Sequence, residues 1–243
     1  MVRRIHTSTL RAAGDLTLSE REAHHARDVL RLGSGDAVEL FDDAGTTARG
    51  TIVSSAPAGV VVRVEAPSAA TAGDIAIRLT VAAAVPKGDR ADWMIEKLSE
   101  LGAERFVPLA TARSVVLPEG KNKRERWMRI ATEAAKQSRR RGVMRIEELT
   151  KLEEALTDAT GAGACWHLST AAGATPVLDL VGQVSPRALT AFVGPEGGWT
   201  DEEMAQFESA GARGVKLTPT VLRVETAAVA IAAILGSIPP SPL

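Results

Sequence analysis

The feature that most constrains this sequence is a regular alternation of strand-like and helix-like segments from residue 75 onward. Short apolar runs between turn-forming residues predict strands, and segments with apolar residues three or four positions apart predict helices. The predicted strands are 75–85, 105–109, 164–169, 189–193 and 214–217. The predicted helices are one that ends at 101 and those over 121–139, 200–210 and 224–235. Strands that alternate with helices form a mostly parallel sheet covered on both faces, so we expect an α/β domain.

The first 66 residues have a different pattern. A capped helix is expected over 19–30, and short strands over 37–41, 47–53 and 59–64. Short strands joined by polar turns are typical of a compact β-barrel. Residues 67–73 are small, polar and rich in breakers, as in a linker between domains. We therefore expect a small β-barrel domain over 1–66, a linker over 67–73 and the α/β domain over 74–243.

A glycine-rich segment follows the predicted strand 189–193. Its sequence is Gly194-Pro195-Glu196-Gly197-Gly198, and glycines there let the main chain turn sharply and approach a ligand. Thr200 and Glu203 then have the spacing of a capping box at the start of a helix. Loops after the strands of an α/β sheet are the usual place for ligands. The alternative interpretation is a sharp turn followed by a well-capped helix, with no ligand.

Positive charge is concentrated in one part of a chain whose net charge is only −1. Between positions 113 and 145 there are eleven Lys and Arg against three Glu, so this segment carries 11 − 3 = +8. A local field of this sign is typical of phosphate binding. The alternative is a solvated helix face. The candidates for RNA contacts are basic residues from both domains: Arg3, Arg4, Arg31, Lys87, Arg90, Arg113, Arg139, Arg140 and Arg141.

Several functional classes are disfavoured by the sequence. The single cysteine, Cys165, cannot form an internal disulfide, and no metal-binding spacing of Cys and His occurs. No apolar run reaches membrane-spanning length, and the first residues lack the apolar core of a signal peptide. There is no dinucleotide fingerprint and no phosphate-binding Walker loop, and His167 has no evident triad partners. We expect a cytoplasmic protein with no metal and no membrane contact.

A second segment, 217–228, repeats the sequence of strand, loop and apolar helix. Together with the glycine segment it resembles the C-terminal half of the SPOUT methyltransferases, and more closely the ribosomal RNA small subunit methyltransferase E family. Blocks similar to that family occur in order along the chain, at 24–31, 35–36, 87–90, 96–102, 113–115, 133–140, 194–198 and 217–228. The family's Gly-x-Arg-Ile-Leu-Arg pattern is not kept at 218–220, where this chain has Thr-Pro-Thr.

The resemblance implies a PUA-like β-barrel that binds RNA, followed by a SPOUT α/β domain with a trefoil knot. It also implies a homodimer, S-adenosylmethionine as cofactor, and 16S rRNA of the small ribosomal subunit as partner. Nothing in the spacing of residues indicates a knot. The positions that match the family's cofactor pocket are Leu168, Ser169, Gly194, Pro195, Glu196, Gly197, Gly198, Leu217, Thr218, Val221, Leu222 and Thr226.

The reaction implied by the resemblance is methylation of N3 of a uridine in 16S rRNA. N3 of uracil is a weak acid, so a cation that stabilises the developing anion is as useful as a base. Arg223 is the candidate for that cation, and Glu225 the candidate to orient it or to accept the proton. Glu225 could instead only cap the last helix. The alternative functions are a SPOUT enzyme acting on another RNA site or a ribose 2′-oxygen, and a non-catalytic RNA-binding assembly factor.

Overall fold

The computed structural model describes residues 2–69, 77–115, 117, 121–181 and 188–239. The described chain divides into two compact units. The first contains residues up to 69 together with Ala135–Val143, and the second contains the rest. Most of the predicted linker and the start of the first predicted α/β strand, residues 70–76, lie outside the described residues.

The first unit is built on a five-stranded sheet with the order β1-β3-β4-β5-β2. Strands β1 and β3 are parallel, and the other pairs are antiparallel. Alternate residues of β4 point into the core, so Ala48 and Ile52 are buried while Arg49 and Thr51 are exposed. The strands are β1 Arg3–His6, β2 Gly14–Thr17, β3 Ala37–Phe41, β4 Thr47–Ala56 and β5 Gly59–Val64.

The predicted helix over 19–30 is only partly regular. Helix α1 covers Glu20–His24 and continues as a π-helical turn over His25–Val29. Ser19 caps α1 by accepting a hydrogen bond from the Glu22 N–H, as expected. The Glu22 carboxylate instead bonds to Lys136, 2.6 Å away. The expected capping box is therefore replaced by a one-sided cap, because a buried lysine takes the carboxylate.

The second unit contains a parallel sheet with the order β11-β13-β10-β12-β6-β7-β8, and β9 also pairs with β7. All its pairs are parallel, which confirms the α/β prediction. The connection from β12 to β13 passes β10, which lies between them. The strands are β6 Arg78–Ala84, β7 Arg105–Ala110, β8 Arg145–Ile146, β9 Thr150–Lys151, β10 Ala164–Leu168, β11 Thr175–Pro176, β12 Ala188–Val193 and β13 Arg213–Lys216.

In the described part of the chain, six helices accompany this sheet. They are α2 Asp89–Glu100, α3 Lys121–Ser138, α4 Leu152–Ala162, α5 Val177–Val181, α6 Asp201–Ser209 and α7 Val224–Gly236. Helix α2 packs against α7 and buries Met94, Ile95 and Leu98 completely. Helices α4 and α5 and the short strands β1, β2, β8, β9 and β11 were not predicted. None of the described helices combines the length and apolar composition needed to cross a membrane.

The last residues of α3 and the segment after it belong to the first unit and lie along β1. The Arg4 guanidinium donates to the carbonyls of Ala135 and Arg140, at 3.2 and 2.9 Å. The Val143 N–H donates to the carbonyl of Asp43. These contacts join the end of α3 and the segment after it to the Arg4 side chain of β1 and to the turn after β3.

Candidate functional site

A cavity of about 600 Å³ lies at the carboxyl ends of three neighbouring strands of the second unit. Three loops line it, and they follow β10, β12 and β13. Parallel strands end at the same edge of a sheet, which is why these loops meet. The predicted pocket residues therefore lie together, with the exception of Thr226, which is absent from the lining.

All five residues of the glycine loop, 194–198, line this cavity. The Gly198 N–H donates to the Pro195 carbonyl at 2.8 Å, which closes a tight turn. Gly198 has φ of +71°, a conformation that side chains other than glycine rarely adopt, so one glycine of the loop has the positive φ that its sequence suggested. A Cβ on Gly194 would lie 2.8 Å from the Trp199 ring, so only glycine fits there.

Trp199 and Glu203 fix the loop to its surroundings. The Trp199 indole N–H donates to the Leu168 carbonyl at 3.4 Å, which links the glycine loop to the end of β10. Thr200 and Glu203 form the predicted capping box of α6. The second Glu203 oxygen accepts the N–H of Ala112 at 2.9 Å, so the same carboxylate also holds the turn after β7.

The third loop, residues 217–223, supplies an apolar wall and a cation. The Thr218 hydroxyl donates to the Thr220 carbonyl at 2.8 Å and so stabilises the turn within the loop. Val221 is 81% exposed, which is unusual for a large apolar side chain, and it lines the cavity. Arg223 also lines the cavity, and it stands at the N-cap position of α7 with its side chain exposed.

Glu225 lies in the first turn of α7 and is buried. One of its oxygens is 3.3 Å from the Arg90 guanidinium, and that same Arg90 nitrogen is 3.8 Å from Glu196 of the glycine loop. The other oxygen of Glu225 is buried and has no hydrogen-bond partner among the described residues. Glu225 is thus paired with Arg90, a residue expected to contact RNA, and it does not line the cavity.

Sequence comparison gives the family. The chain matches a profile described as an RNA methyltransferase domain over residues 74–236, and one described as an RNA methyltransferase PUA domain over residues 18–65. Ribosomal RNA small subunit methyltransferase E of Bacillus subtilis is 30% identical, over 88% of this chain and 87% of its own length. The Synechocystis protein of the same name is 33% identical, over 87% of this chain and 69% of its own length. The chain belongs to the ribosomal RNA small subunit methyltransferase E family.

Solved structures agree with this membership. A methyltransferase E from Neisseria gonorrhoeae, bound to S-adenosylmethionine, is 25% identical with a TM-score of 0.84 and 96% coverage of both chains. A methyltransferase from Legionella pneumophila, also with bound S-adenosylmethionine, is 26% identical with a TM-score of 0.85 and 97% coverage of both chains. The expected class, a PUA-like domain followed by a SPOUT α/β domain, is confirmed for this chain. The trefoil knot stays a prediction.

The lining of the cavity also contains residues that sequence reasoning did not select. Trp199, Met204, Val215, Val224 and Ala227 add apolar surface between the loops. Trp199 follows the glycine loop directly, and a large aromatic residue at that position was a usable signal. Met204, Val224 and Ala227 lie on helices, where their spacing indicates only a packed face.

The basic residues expected to contact RNA are in different environments in the structure. Arg4 is buried, with Glu39 at 2.9 Å and the Phe41 ring 4.1 Å from the centre of its guanidinium. Burial lowers the pKa of Arg4, and Glu39 opposes that shift. Arg4 is therefore a structural residue and cannot offer its charge to a phosphate. Exposed side chains are found at the other predicted RNA-contact positions except Arg90 and Arg140, which are partly buried.

Cys165 and His167 lie on β10, in the part of the strand that precedes the loop lining the cavity, and both are buried. Burial raises the pKa of the Cys165 thiol, so the thiol stays protonated and is a poor nucleophile. Burial lowers the pKa of His167, whose ring stacks on Phe207 with centroids 4.6 Å apart. These surroundings favour a structural role for both. No group of His, Cys, Asp or Glu within the described ranges could hold a metal ion.

Proposed function

We propose that this protein transfers a methyl group to N3 of a uridine in 16S rRNA of the small ribosomal subunit. S-adenosylmethionine is the methyl donor. The observation that carries the proposal is the cavity built by three loops at the ends of β10, β12 and β13, in a chain of this family. The names of the related proteins support rRNA as the substrate class.

The residues of the cavity fit the chemistry of S-adenosylmethionine. Its volume lies in the range of small-molecule sites, and its walls are mostly apolar, as an adenine ring requires. Leu217, Leu222 and the main chain of the glycine loop would hold the cofactor, and Arg223 offers positive charge for its carboxylate. The cofactor supplies an activated methyl group, so the protein has to align the acceptor and manage one proton.

Arg223 is our candidate for the catalytic residue. Its exposed guanidinium at the cavity can stabilise the anion that develops when uracil N3 loses its proton. Glu225 lies outside the cavity lining, so of its two expected roles we propose the one of orienting Arg223 from the first turn of α7; one of its oxygens has no hydrogen-bond partner among the described residues. Its ion pair with Arg90 gives it a second role, in holding the start of α7.

We further propose a cytoplasmic homodimer. Helix α7 is apolar at most positions, and Val229, Ala230, Ile234 and the exposed Ala233 are not fully covered within the second unit. Small residues at such positions allow a second copy to approach closely. Light scattering at micromolar concentration measures the mass directly, and a monomeric mass would contradict the dimer.

The test of function has two parts. Calorimetry with S-adenosylmethionine should give saturable binding at one site for each chain, and no binding would favour the non-catalytic assembly factor. Mass spectrometry of 16S rRNA from a deletion strain should show the loss of one N3-methyluridine. Wild-type protein should restore it, and Arg223→Met should not. A lost methyl group on another RNA, or on a ribose oxygen, would identify the alternative enzyme.

A further inference from the structure

We propose that Arg113 and Arg90 are positioning residues that hold the glycine loop in its binding shape. Charge alone made both arginines candidates for RNA contact. Arg113 instead donates to a carbonyl of the glycine loop, and Arg90 donates to the Glu225 carboxylate of α7. The inference rests on the proposed function, because it concerns the pocket that takes S-adenosylmethionine.

Arg113 holds the carbonyl side of the loop. Its guanidinium donates to the Gly197 carbonyl at 2.6 Å and to the Trp199 carbonyl at 3.3 Å. Its aliphatic chain lies over Gly197, where a Cβ would be 3.2 Å from the Arg113 Cδ. A side chain at 197 would therefore push the arginine by a few tenths of an ångström from its present position over the loop.

The turn that carries Arg113 is itself rigid. The N–H of Thr111 donates to the Ser114 hydroxyl, and the N–H of Ser114 returns to the Thr111 carbonyl, both at 3.1 Å. The Ala112 N–H is held by Glu203, the residue that caps α6. Arg113 thus extends from an anchored turn, so the cost of ordering its side chain is already reduced.

Arg90 contacts the same loop through the carboxylate of Glu196. It lies in the first turn of α2 and is within 4 Å of Glu196 in the loop and of Glu225 in α7. The Glu225 side chain is only 7% exposed, and a buried carboxylate is costly without a counter-charge. Glu225 therefore restrains Arg90, and Arg90 in turn restrains Glu196.

Two arginines thus restrain the glycine loop. Arg113 does so through main-chain carbonyls, and Arg90 does so through the Glu196 carboxylate. A loop that is already in its binding shape loses less conformational entropy when a ligand binds. Loss of either arginine should therefore lower the affinity for the cofactor, although neither arginine needs to contact it.

The test measures affinity for S-adenosylmethionine in the absence of RNA, by calorimetry. Arg113→Met should bind about tenfold more weakly or worse, the effect of losing a charged hydrogen bond. Arg90→Met should also bind more weakly but by a smaller factor, because its contact with Glu196 of the loop is a part-exposed ion pair at 3.8 Å. Arg129→Met is the matched control, since Arg129 is exposed on α3 and is part of the basic segment. It should bind the cofactor like wild type. If an arginine only binds RNA, its substitution cannot change the cofactor affinity measured without RNA.

Conservative variants separate positioning from folding. Arg113→Lys keeps one donor and Arg90→Lys keeps the charge beside Glu225, so both should fold and recover part of the affinity. The effects of Arg90→Met and Glu196→Gln should be non-additive, because Arg90 acts through Glu196. If folded Lys and Met variants bind as tightly as wild type, this proposal fails and the proposed function stands. If wild type itself does not bind S-adenosylmethionine, both fail.

Discussion

His167 is a buried imidazole whose Nδ1 has no hydrogen-bond partner among the described residues. Burial lowers its pKa, so the folded protein keeps the ring neutral. Unfolding restores the ordinary pKa, about 6.5 for a free histidine. Below that pH the unfolded chain binds a proton that the folded chain does not. The stability of the second unit should therefore fall as the pH decreases through about 6.5.

His167→Gln should remove this dependence. The variant should be less stable than wild type at pH 7, because the ring contact with Phe207 is lost. Between pH 7 and pH 5, however, it should lose less stability than wild type does. Urea unfolding followed by tryptophan fluorescence measures this, because all four tryptophans lie in the second unit. Equal losses for the two proteins would show that His167 does not titrate in this range.

Single residues also show what the sequence could and could not predict. The positive φ of Gly198 follows from local chemistry, because few other residues can make that turn. The roles of Arg4, Arg90 and Arg113 do not. Each was expected to contact RNA because it is basic, but its partners come from distant parts of the chain. A sequence gives the charge of a residue and leaves the position of its counter-charge open.

At the scale of elements, one buried ion pair joins the end of α3 to α1 within the first unit. Lys136 and Glu22 are 2.6 Å apart, with side chains 4% and 6% exposed. The second Glu22 oxygen accepts the His6 N–H at 3.4 Å. Removing one member of such a pair leaves an uncompensated buried charge, which costs about 3–5 kcal/mol. Replacing both by apolar residues of similar size costs much less.

Lys136→Met should therefore destabilise the first unit by about 3–5 kcal/mol, and the double variant Lys136→Met/Glu22→Leu should recover most of that loss. Hydrogen exchange of β1 and β3 amides reports the first unit. Tryptophan fluorescence reports the second unit and serves as an internal control that should hardly change. If the double variant is no more stable than Lys136→Met, the cost of that substitution does not come from leaving the Glu22 charge unpaired.

Elements with strong local signals were predicted, and elements made by tertiary pairing were not. Helix α6 has its capping box, and α7 is a long apolar run, so their bounds agree with prediction within one residue. Strand β1 has only four residues, two of them arginines, and it forms because it pairs with β3. Helix α4 was missed although Leu152, Ala155, Leu156 and Ala159 have helical spacing and are buried. No side chain caps the start of α4, so the sequence lacks the N-cap residue that usually indicates where a helix begins.

For the whole molecule, the basic segment is divided between the two units. Sequence analysis assigned all of 121–145 to the α/β domain, but Ala135–Val143 groups with the N-terminal sheet. Such a return of the chain depends on contacts between residues far apart in sequence, as between Arg4 and Arg140, so no local pattern reveals it. The three consecutive arginines 139–141 therefore belong to the same unit as Arg3 and Arg31.

Two arginines of this unit have left-handed backbone conformations. Arg31 has φ of 56° and Arg139 has φ of 57°, and no other non-glycine residue in the described ranges has a positive φ. Each follows the end of a helical segment, where a left-handed residue commonly closes the last turn, and for Arg31 the Leu32 N–H donates to the Ala26 carbonyl at 2.9 Å. Both side chains are exposed. We expect them to contact RNA phosphates.

The double variant Arg31→Asn/Arg139→Asn tests this, since asparagine tolerates the left-handed conformation and carries no charge. Binding to 16S rRNA should weaken, and the log–log slope of affinity against salt should fall by about 0.7–0.9 for each lost phosphate contact. S-adenosylmethionine affinity should not change. Arg63→Asn is the matched control, because Arg63 lies in the same unit but is paired with Asp15 at 2.9 Å. If the double variant keeps the wild-type slope, these arginines are a solvated face and the RNA-binding interpretation of their charge is wrong.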